Sequence, residues 1–313
     1  MPARLIVAAA ILLTRTVMAQ DHSIEHRFAT VNGVRLHYAE AGTGPLMIFL
    51  HGFPEFWYAW TDQLAEFGKD HHAVAPDQRG YNLSEKPASV DAYQVPNLVE
   101  DIRALAASLN GGKPFVLVGH DWGGAVAWAF AIKHPELVAK LVIINAPHPG
   151  VFGRLLATDS AQQKASQYML FFRSPQAEAS LSTNNYQPLL GFFAEPRAAG
   201  KFSTDDDRAY LDAWGQPGAL TGGLNYYRAA RLGPVTSSTE GATATSSTGL
   251  AVRPTTLVIW GEKDTALLPS NLIGLDQYVP NLTIERIPDG THWVVHEQPA
   301  LVNRMIRAFL QRP

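Results

Sequence analysis

Gly119-His120-Asp121-Trp122-Gly123-Gly124 decides how this chain is read. It has the form of a nucleophile elbow, G-x-S-x-G, with aspartate in the serine position. In that motif a strand runs into a sharp turn and then a helix, and the central side chain stands exposed at the turn. The flanks agree. Phe115-Val116-Leu117-Val118 is a short apolar run suited to a buried strand, and Ala125 to Lys133 is Ala-rich and suited to a buried helix. The glycines permit the tight turn and the close packing of helix on strand. A carboxylate at this point is a different tool from a hydroxyl. An aspartate with the ordinary pKa of ~4 is ionised at neutral pH and needs no base before it attacks. It can displace a leaving group from an sp3 carbon and leave an ester on the enzyme.

Outward from the elbow, short apolar strands alternate with helical stretches, the pattern of a mostly parallel sheet flanked by helices. Arg27 to Val31 and Val34 to Ala39 flank Asn32-Gly33, a hairpin signal. Leu46 to Leu50 ends in His51-Gly52-Phe53-Pro54, and Ala73 to Ala75 in Asp77-Gln78-Arg79-Gly80. Leu141 to Ile144 ends at Asn145, and Thr256 to Trp260 in Gly261-Glu262-Lys263-Asp264. Leu282 to Ile287 leads to Gly290-Thr291-His292, and Val295 to Leu310 reads as a closing helix. Each polar cluster follows the C-terminal end of a strand, where open α/β sheets place their ligands.

Residues 149–234 break this pattern with aromatics and helix formers, and read as a helical cap, or lid, inserted over the elbow. The core is thereby split into 20–148 and 250–313. Ser203-Thr204-Asp205-Asp206-Asp207 reads as a helix start favoured by the helix dipole, in preference to a metal site. Residues 235–249 are nearly all Ser, Thr, Ala and Gly and read as a flexible low-complexity loop.

The composition narrows the class. A chain of 313 residues suits one large α/β domain with an insertion. The net charge of −3 offers nothing to a nucleic acid, and the absence of cysteine excludes disulfides, thiol nucleophiles and Cys-ligated metals. No metal and no cofactor are expected. Residues 1–19 read as a secretory signal: Arg4 supplies the positive region, Leu5 to Leu13 the apolar run, and Val17 and Ala19 the small residues before a cut. The apolar run is too short to span a bilayer and Arg15 interrupts it, so no stable membrane anchor is expected. The expected localisation is export, to periplasm or medium.

Four segments in order carry a family resemblance: His51-Gly52-Phe53-Pro54-Glu55, the Asp121 elbow, Gly261-Glu262-Lys263-Asp264 and Gly290-Thr291-His292-Trp293. With them, from about Arg27 to the C-terminus, the chain resembles the epoxide hydrolases of the α/β-hydrolase fold. The resemblance implies a small-molecule epoxide as substrate. Asp121 is then the nucleophile, His292 the base that activates water in the second step, and Asp264 the acid that orients His292. Related dehalogenases sometimes place that acid where this chain has Asn145, which carries no charge. The backbone N–H groups of Phe53 and Trp122, residues that also border the substrate, would form the oxyanion hole. Pro54 falls where the family has a cis proline, and His51 reads as a brace for that loop.

Epoxide opening leaves an alkoxide that needs a donor. The resemblance places two lid tyrosines for this, at Tyr168 and Tyr227, with Tyr226 the nearest rival to Tyr227 and His296 the nearest rival to His292. The lid aromatics Phe171, Phe172, Phe192, Phe193 and Trp214 suit either an apolar pocket or the lid's own core. Two other readings remain open at this point. One is a haloalkane or haloacid dehalogenase with the same aspartate. The other is a non-catalytic ligand-binding protein on the same fold.

Overall fold

A computed structural model of the chain describes residues 23–234 and 249–312. The expected signal and all but the last residue of the 235–249 loop lie outside them. Among the described residues, eight strands form one sheet: β1 (Glu25–Val31), β2 (Val34–Ala41), β3 (Leu46–Leu50), β4 (His72–Pro76), β5 (Phe115–His120), β6 (Val138–Ile144), β7 (Thr256–Gly261) and β8 (Leu282–Ile287). Their order across the sheet is β1-β2-β4-β3-β5-β6-β7-β8. All neighbours from β4 to β8 are parallel, and β2 runs antiparallel to both β1 and β4.

The helices divide into three sets. Before the lid come α1 (Thr61–Phe67), α2 (Val95–Asn110) and α3 (Asp121–Lys133). Between β6 and β7 come α4 (Pro149–Thr158), α5 (Ser160–Ala165), α6 (Tyr168–Phe172), α7 (Ala177–Leu181), α8 (Thr183–Leu190), α9 (Ala194–Ala198), α10 (Thr204–Trp214) and α11 (Ala219–Ala230). The chain closes with α12 (Val294–Glu297) and α13 (Pro299–Leu310). The expected single helix from Val295 to Leu310 is thus two. Pro299 disfavours helical backbone in the residue before it, and Gln298 sits at φ −136°, ψ 51°.

Both faces of the central strands are covered, which is why β3 and β5 read as unbroken apolar runs. Alternate side chains enter two cores. Leu46, Ile48 and Leu50 pack with Leu98, Ile102 and Leu105 of α2 and Val126 and Phe130 of α3. Met47 and Phe49 pack with Leu64 and Phe67 of α1 and Val302, Ile306 and Phe309 of α13.

The lid is tied to the core at named points. The buried His148 joins its two crossings: its Nδ1 accepts from Gly150 N at 3.2 Å and its Nε2 donates to the Leu250 carbonyl at 3.1 Å. Trp214 Nε1 donates to the Pro54 carbonyl at 2.6 Å. Helix α11 sits directly on the loop after β4, where a Cβ on Gly222 would lie 2.2 Å from the Gly80 carbonyl oxygen. Tyr226 donates to the Arg79 carbonyl at 2.9 Å, and Arg79 is itself clamped by two 2.6 Å bonds to Asp101 of α2. Ser203 and Asp206 close a capping box at the start of α10, so that acidic run is a helix terminus.

Candidate active site

The elbow is a strand-to-helix turn from β5 to α3, with Asp121 held at φ 50°. That left-handed conformation is sparsely populated by non-glycine residues and lifts the side chain out of the strand. The loop after β3 closes against it. A Cβ on Gly52 would stand 2.4 Å from Asp121 Cβ, so only glycine allows this approach. The Phe53–Pro54 peptide is cis, and Phe53 N donates to Asp121 Oδ1 at 2.8 Å. Trp122 follows as the next residue of α3, with its ring 5.2 Å from that of Tyr227.

His292 lies in the loop after β8 and reaches both acids. Its Nδ1 donates to Asp264 Oδ2 at 2.7 Å, which leaves Nε2 facing Asp121 Oδ2 at 3.7 Å. Asp264 is buried and fully engaged: its Oδ1 accepts from Ala266 N at 2.9 Å and Leu267 N at 2.8 Å, and its Oδ2 also accepts from Asn145 Nδ2 at 2.8 Å. Burial opposes its charge, but the charge and hydrogen bond of His292, with the Leu267 and Asn145 donors, win and hold its pKa below the ordinary value. His292 shows the mirror image. Burial alone would lower it, while Asp264 first, then Asp121 and Glu55, raise it to about 9.

The two lid tyrosines pack near each other and within reach of the charge of Asp121. Tyr168 opens α6 and Tyr227 lies in α11, with ring centroids 6.3 Å apart. Burial pushes both phenols well above their ordinary pKa, and the charge of Asp121 adds to the effect on each. Both are therefore protonated donors at neutral pH. Tyr226 is different: its hydroxyl is committed to Arg79, and Asp121 is not among the causes acting on it. His296 also turns away from the acids of the triad and donates to Glu55 Oε1 at 2.6 Å. Among the lid aromatics, Phe172 borders the site, 5.1 Å from Phe53 and 5.0 Å from Tyr227. Phe193 and Trp214 pack around Tyr210, with Phe193 also 4.4 Å from Trp293 and Trp214 bonded to the Pro54 carbonyl, so they fill the join between lid and sheet domain.

Glu55 is a component that the motif reading left without a task. It is buried, accepts from His120 Nδ1 at 2.9 Å and His296 Nε2 at 2.6 Å, and is held well below the ordinary carboxyl range because those contacts outweigh its burial. His120 Nε2 also lies 2.9 Å from the His292 carbonyl, so one ring links the elbow strand, the Glu55 loop and the loop that carries His292. Both Glu55 and His120 stand inside quoted motifs, which was the available signal. His51 braces its loop, donating to Gly52 O at 2.9 Å and accepting from Gln78 N at 3.1 Å. Among the described residues, no group of three or more His, Asp or Glu side chains could hold a metal ion, and no helix is long and apolar enough to cross a membrane.

Sheet order, the elbow and the sequence order of Asp121, Asp264 and His292 define an α/β-hydrolase fold with a carboxylate at its elbow. The α/β-hydrolase fold family model matches residues 45–299. Epoxide hydrolase 4 of Mus musculus is 38% identical over 291 residues, spanning 90% of this chain and 77% of its own length. The Bacillus subtilis AB hydrolase superfamily protein YfhM is 38% identical over 292 residues, spanning 92% and 98%. A crystal structure of Bacillus megaterium epoxide hydrolase with an inhibitor superposes with a TM-score of 0.85 at 38% identity, over 91% of this chain and all of that one. The chain belongs to the α/β-hydrolase fold family, in its epoxide hydrolase branch.

Proposed function

We propose that this protein hydrolyses an epoxide to a vicinal diol through an ester on Asp121. The observation that carries this reading is the convergence on one carboxylate: His292 Nε2 at 3.7 Å, Phe53 N at 2.8 Å, and two protonated tyrosines whose pKa its charge raises. An ester cleaved at a serine would need no such phenol pair. An alkoxide that stays on the substrate does.

The proton balance follows from the resting charges. Asp121 attacks one epoxide carbon, the C–O bond breaks, and the electron pair goes to the oxygen facing Tyr168 and Tyr227. Ester formation cancels the Asp121 charge, one of the causes that hold a proton on His292. The step therefore favours loss of the His292 proton as the alkoxide gains one. Neutral His292, kept in its tautomer by Asp264, then takes a proton from water, and the hydroxide adds to the ester carbon. The Phe53 and Trp122 amides would hold the oxyanion. Collapse releases the diol, and the carboxylate and imidazolium return together.

Purified residues 20–313, given styrene oxide, an aliphatic epoxide and a chloroalkane, should yield diol without halide. Single turnover in labelled water should place label in Asp121 and leave it out of the first diol. Halide without diol would reassign the chain to dehalogenation. Label only in the first diol would exclude the ester. The Arg4 to Ala19 segment supports export after a cut before Gln20. Fractionation of the native host into cytoplasm, periplasm and medium, with N-terminal sequencing, tests it.

A further inference from the structure

We infer that Gln162 is a positioning residue of this site: it fastens the lid turn that carries Tyr168 to the loop that holds Asp264, and so sets the Tyr168 phenol for ring opening. The inference rests on the epoxide reading above. Gln162 lies in α5 and is fully buried, as is Ser166 one turn later. A side-chain amide offers two donor hydrogens and an oxygen that accepts twice, and here all of them are used. Nε2 donates to Ser166 Oγ at 2.9 Å and to the Ala266 carbonyl at 2.8 Å. Oε1 accepts from Leu268 N at 3.0 Å and from Asn271 Nδ2 at 2.8 Å. A backbone carbonyl on one side and a backbone N–H on the other fix which end of the amide faces which.

These partners belong to two parts of the molecule. Ala266, Leu268 and Asn271 follow Asp264 in the chain after β7, and that loop has its own anchors: Ala266 N and Leu267 N donate to Asp264 Oδ1, while Asn145 and His292 hold Oδ2. Ser166 belongs to the lid. Its N–H donates to the Gln162 carbonyl at 2.9 Å, and its carbonyl accepts from Met169 N at 3.1 Å, so the turn between α5 and α6 closes around Tyr168. The helices on either side have six and five residues, too short to hold a fixed place without tertiary support. The ring of Tyr168 packs on its neighbours, but the backbone beneath it hangs on this one amide. Removing the amide leaves a buried carbonyl and a buried N–H unpaired and frees the lid turn to shift. A phenol donates only within hydrogen-bond reach of the alkoxide, so a small shift at Tyr168 slows ring opening. Ester hydrolysis uses His292 and Asp264, whose direct contacts do not include Gln162, and it should be spared.

Two variants test this. Gln162→Met keeps the volume and removes all four bonds, whereas Ser166→Ala removes only the link to the lid turn. Ester formation and ester hydrolysis are timed separately by stopped flow with styrene oxide, in wild-type, Tyr168→Phe and Tyr227→Phe backgrounds. Gln162→Met should slow ester formation by about tenfold and Ser166→Ala by less, with ester hydrolysis changed by no more than about twofold. In the Tyr168→Phe background neither variant should add more than about twofold, because the phenol they position is gone, while in Tyr227→Phe both losses should persist in full. A merely structural role would not single out one tyrosine. Losses that multiply in both backgrounds would overturn the inference. Equal slowing of both phases would overturn it too, and would place Gln162 in support of Asp264 instead. Should Gln162→Met fail to fold, Ser166→Ala carries the same comparison. Diol from wild type with losses that multiply overturns the positioning role alone, whereas no diol from wild type overturns the epoxide reading and this role with it.

Discussion

The two sides of the candidate site are held by different forces. On the sheet side, Asp121, Asp264 and His292 stand at strand ends and are fixed by hydrogen bonds with little freedom: Asp264 alone accepts four. On the lid side, Tyr168 and Tyr227 are set mainly by ring packing against Phe53, Phe172 and Trp122. Hydrogen bonds are directional and costly to leave unmade, while ring packing is adaptable. The sheet side therefore fixes charge and proton position, and the lid side fixes shape. Substitutions should act in steep, all-or-none fashion on the first and in graded fashion on the second.

The largest effect should come from the nucleophile and its base. Asp121→Asn removes the attacking carboxylate and should lower diol formation by at least ~10^4-fold, a loss of the size seen when a covalent nucleophile is removed. His292→Gln keeps the attacking carboxylate but removes the base and the proton that ester formation uses, so it should form the ester more slowly and stop after one equivalent, with the ester on Asp121 visible as added mass in the intact protein. Steady diol release from His292→Gln would break the two-step scheme.

Asp264→Asn comes next, at up to ~10^4-fold in kcat, because the histidine loses the partner that sets its tautomer. It also tests the titration. The folded pKa of His292 is about 9 against the ordinary 6.5. Its contribution to stability is thus complete below 6.5 and lost as pH rises through about 9. In the proposed scheme ester formation uses that proton, so kcat/KM should fall above about pH 9. Ester hydrolysis needs neutral His292, and the Asp121 charge is then absent, so its rate should rise with pH around a midpoint below 9. Stopped-flow measurement of the two phases checks both signs. In Asp264→Asn the kcat/KM limb should move to lower pH, and a limb that stays in place would show that another group titrates.

The lid side should respond by degrees. General acid assistance contributes roughly 10^2- to 10^4-fold in total. Tyr168→Phe and Tyr227→Phe should each lose only part of it, since the other donor remains, and the double variant should lose the whole. Tyr226→Phe should disturb lid docking at Arg79 and leave the ring-opening rate within a few-fold. Equal, complete loss in either single variant would show that the pair acts as one rigid unit.

The same division explains what could be read from the sequence. The sheet side was legible because each functional group follows an apolar run directly: Leu46 to Leu50 before Phe53, Phe115 to Val118 before Asp121, Thr256 to Trp260 before Asp264. Strand cores came through, and their ends extended further, as β6 does back to Val138. Helix α2 was passed over, although its 16 residues carry Asp101 and it offers both a proline in its first turn and an apolar face at Leu98, Ile102 and Leu105. The tasks of Glu55, His120 and Asn145 depend on contacts between segments far apart in sequence, as Glu55 and His120 are at a separation of 65 positions. No local pattern encodes these. On the lid, residue type suggested aromatic function or aromatic core without separating them. Only the packed arrangement puts Phe172 beside Tyr168 and Tyr227 and Phe193 at the join of lid and sheet domain.

The smallest effect tests how redundant the sheet side is. Asn145 stands at the end of β6 with φ 40°, a left-handed position that Asn tolerates better than most residues. Its Nδ2 donates to Asp264 Oδ2 at 2.8 Å and its Oδ1 accepts from Gly261 N at 2.9 Å, so one amide joins the ends of two strands to the catalytic acid. Asn145→Ala strips the buried Gly261 N–H of its acceptor and should cost ~1–3 kcal/mol of stability, measurable by denaturant unfolding. Activity should fall less than about tenfold, because the two backbone N–H groups and His292 still hold Asp264, and one neutral hydrogen bond is worth only ~1 kcal/mol. An activity loss as deep as that of Asp264→Asn, with stability intact, would mean that Asn145 acts on the charge of the pair as well as on its position. Asn145→Asp separates these roles, because it keeps an acceptor for Gly261 while setting a second carboxylate beside the first. Like charges at that distance favour protonation of one of the two acids, so this variant should lose activity most at low pH.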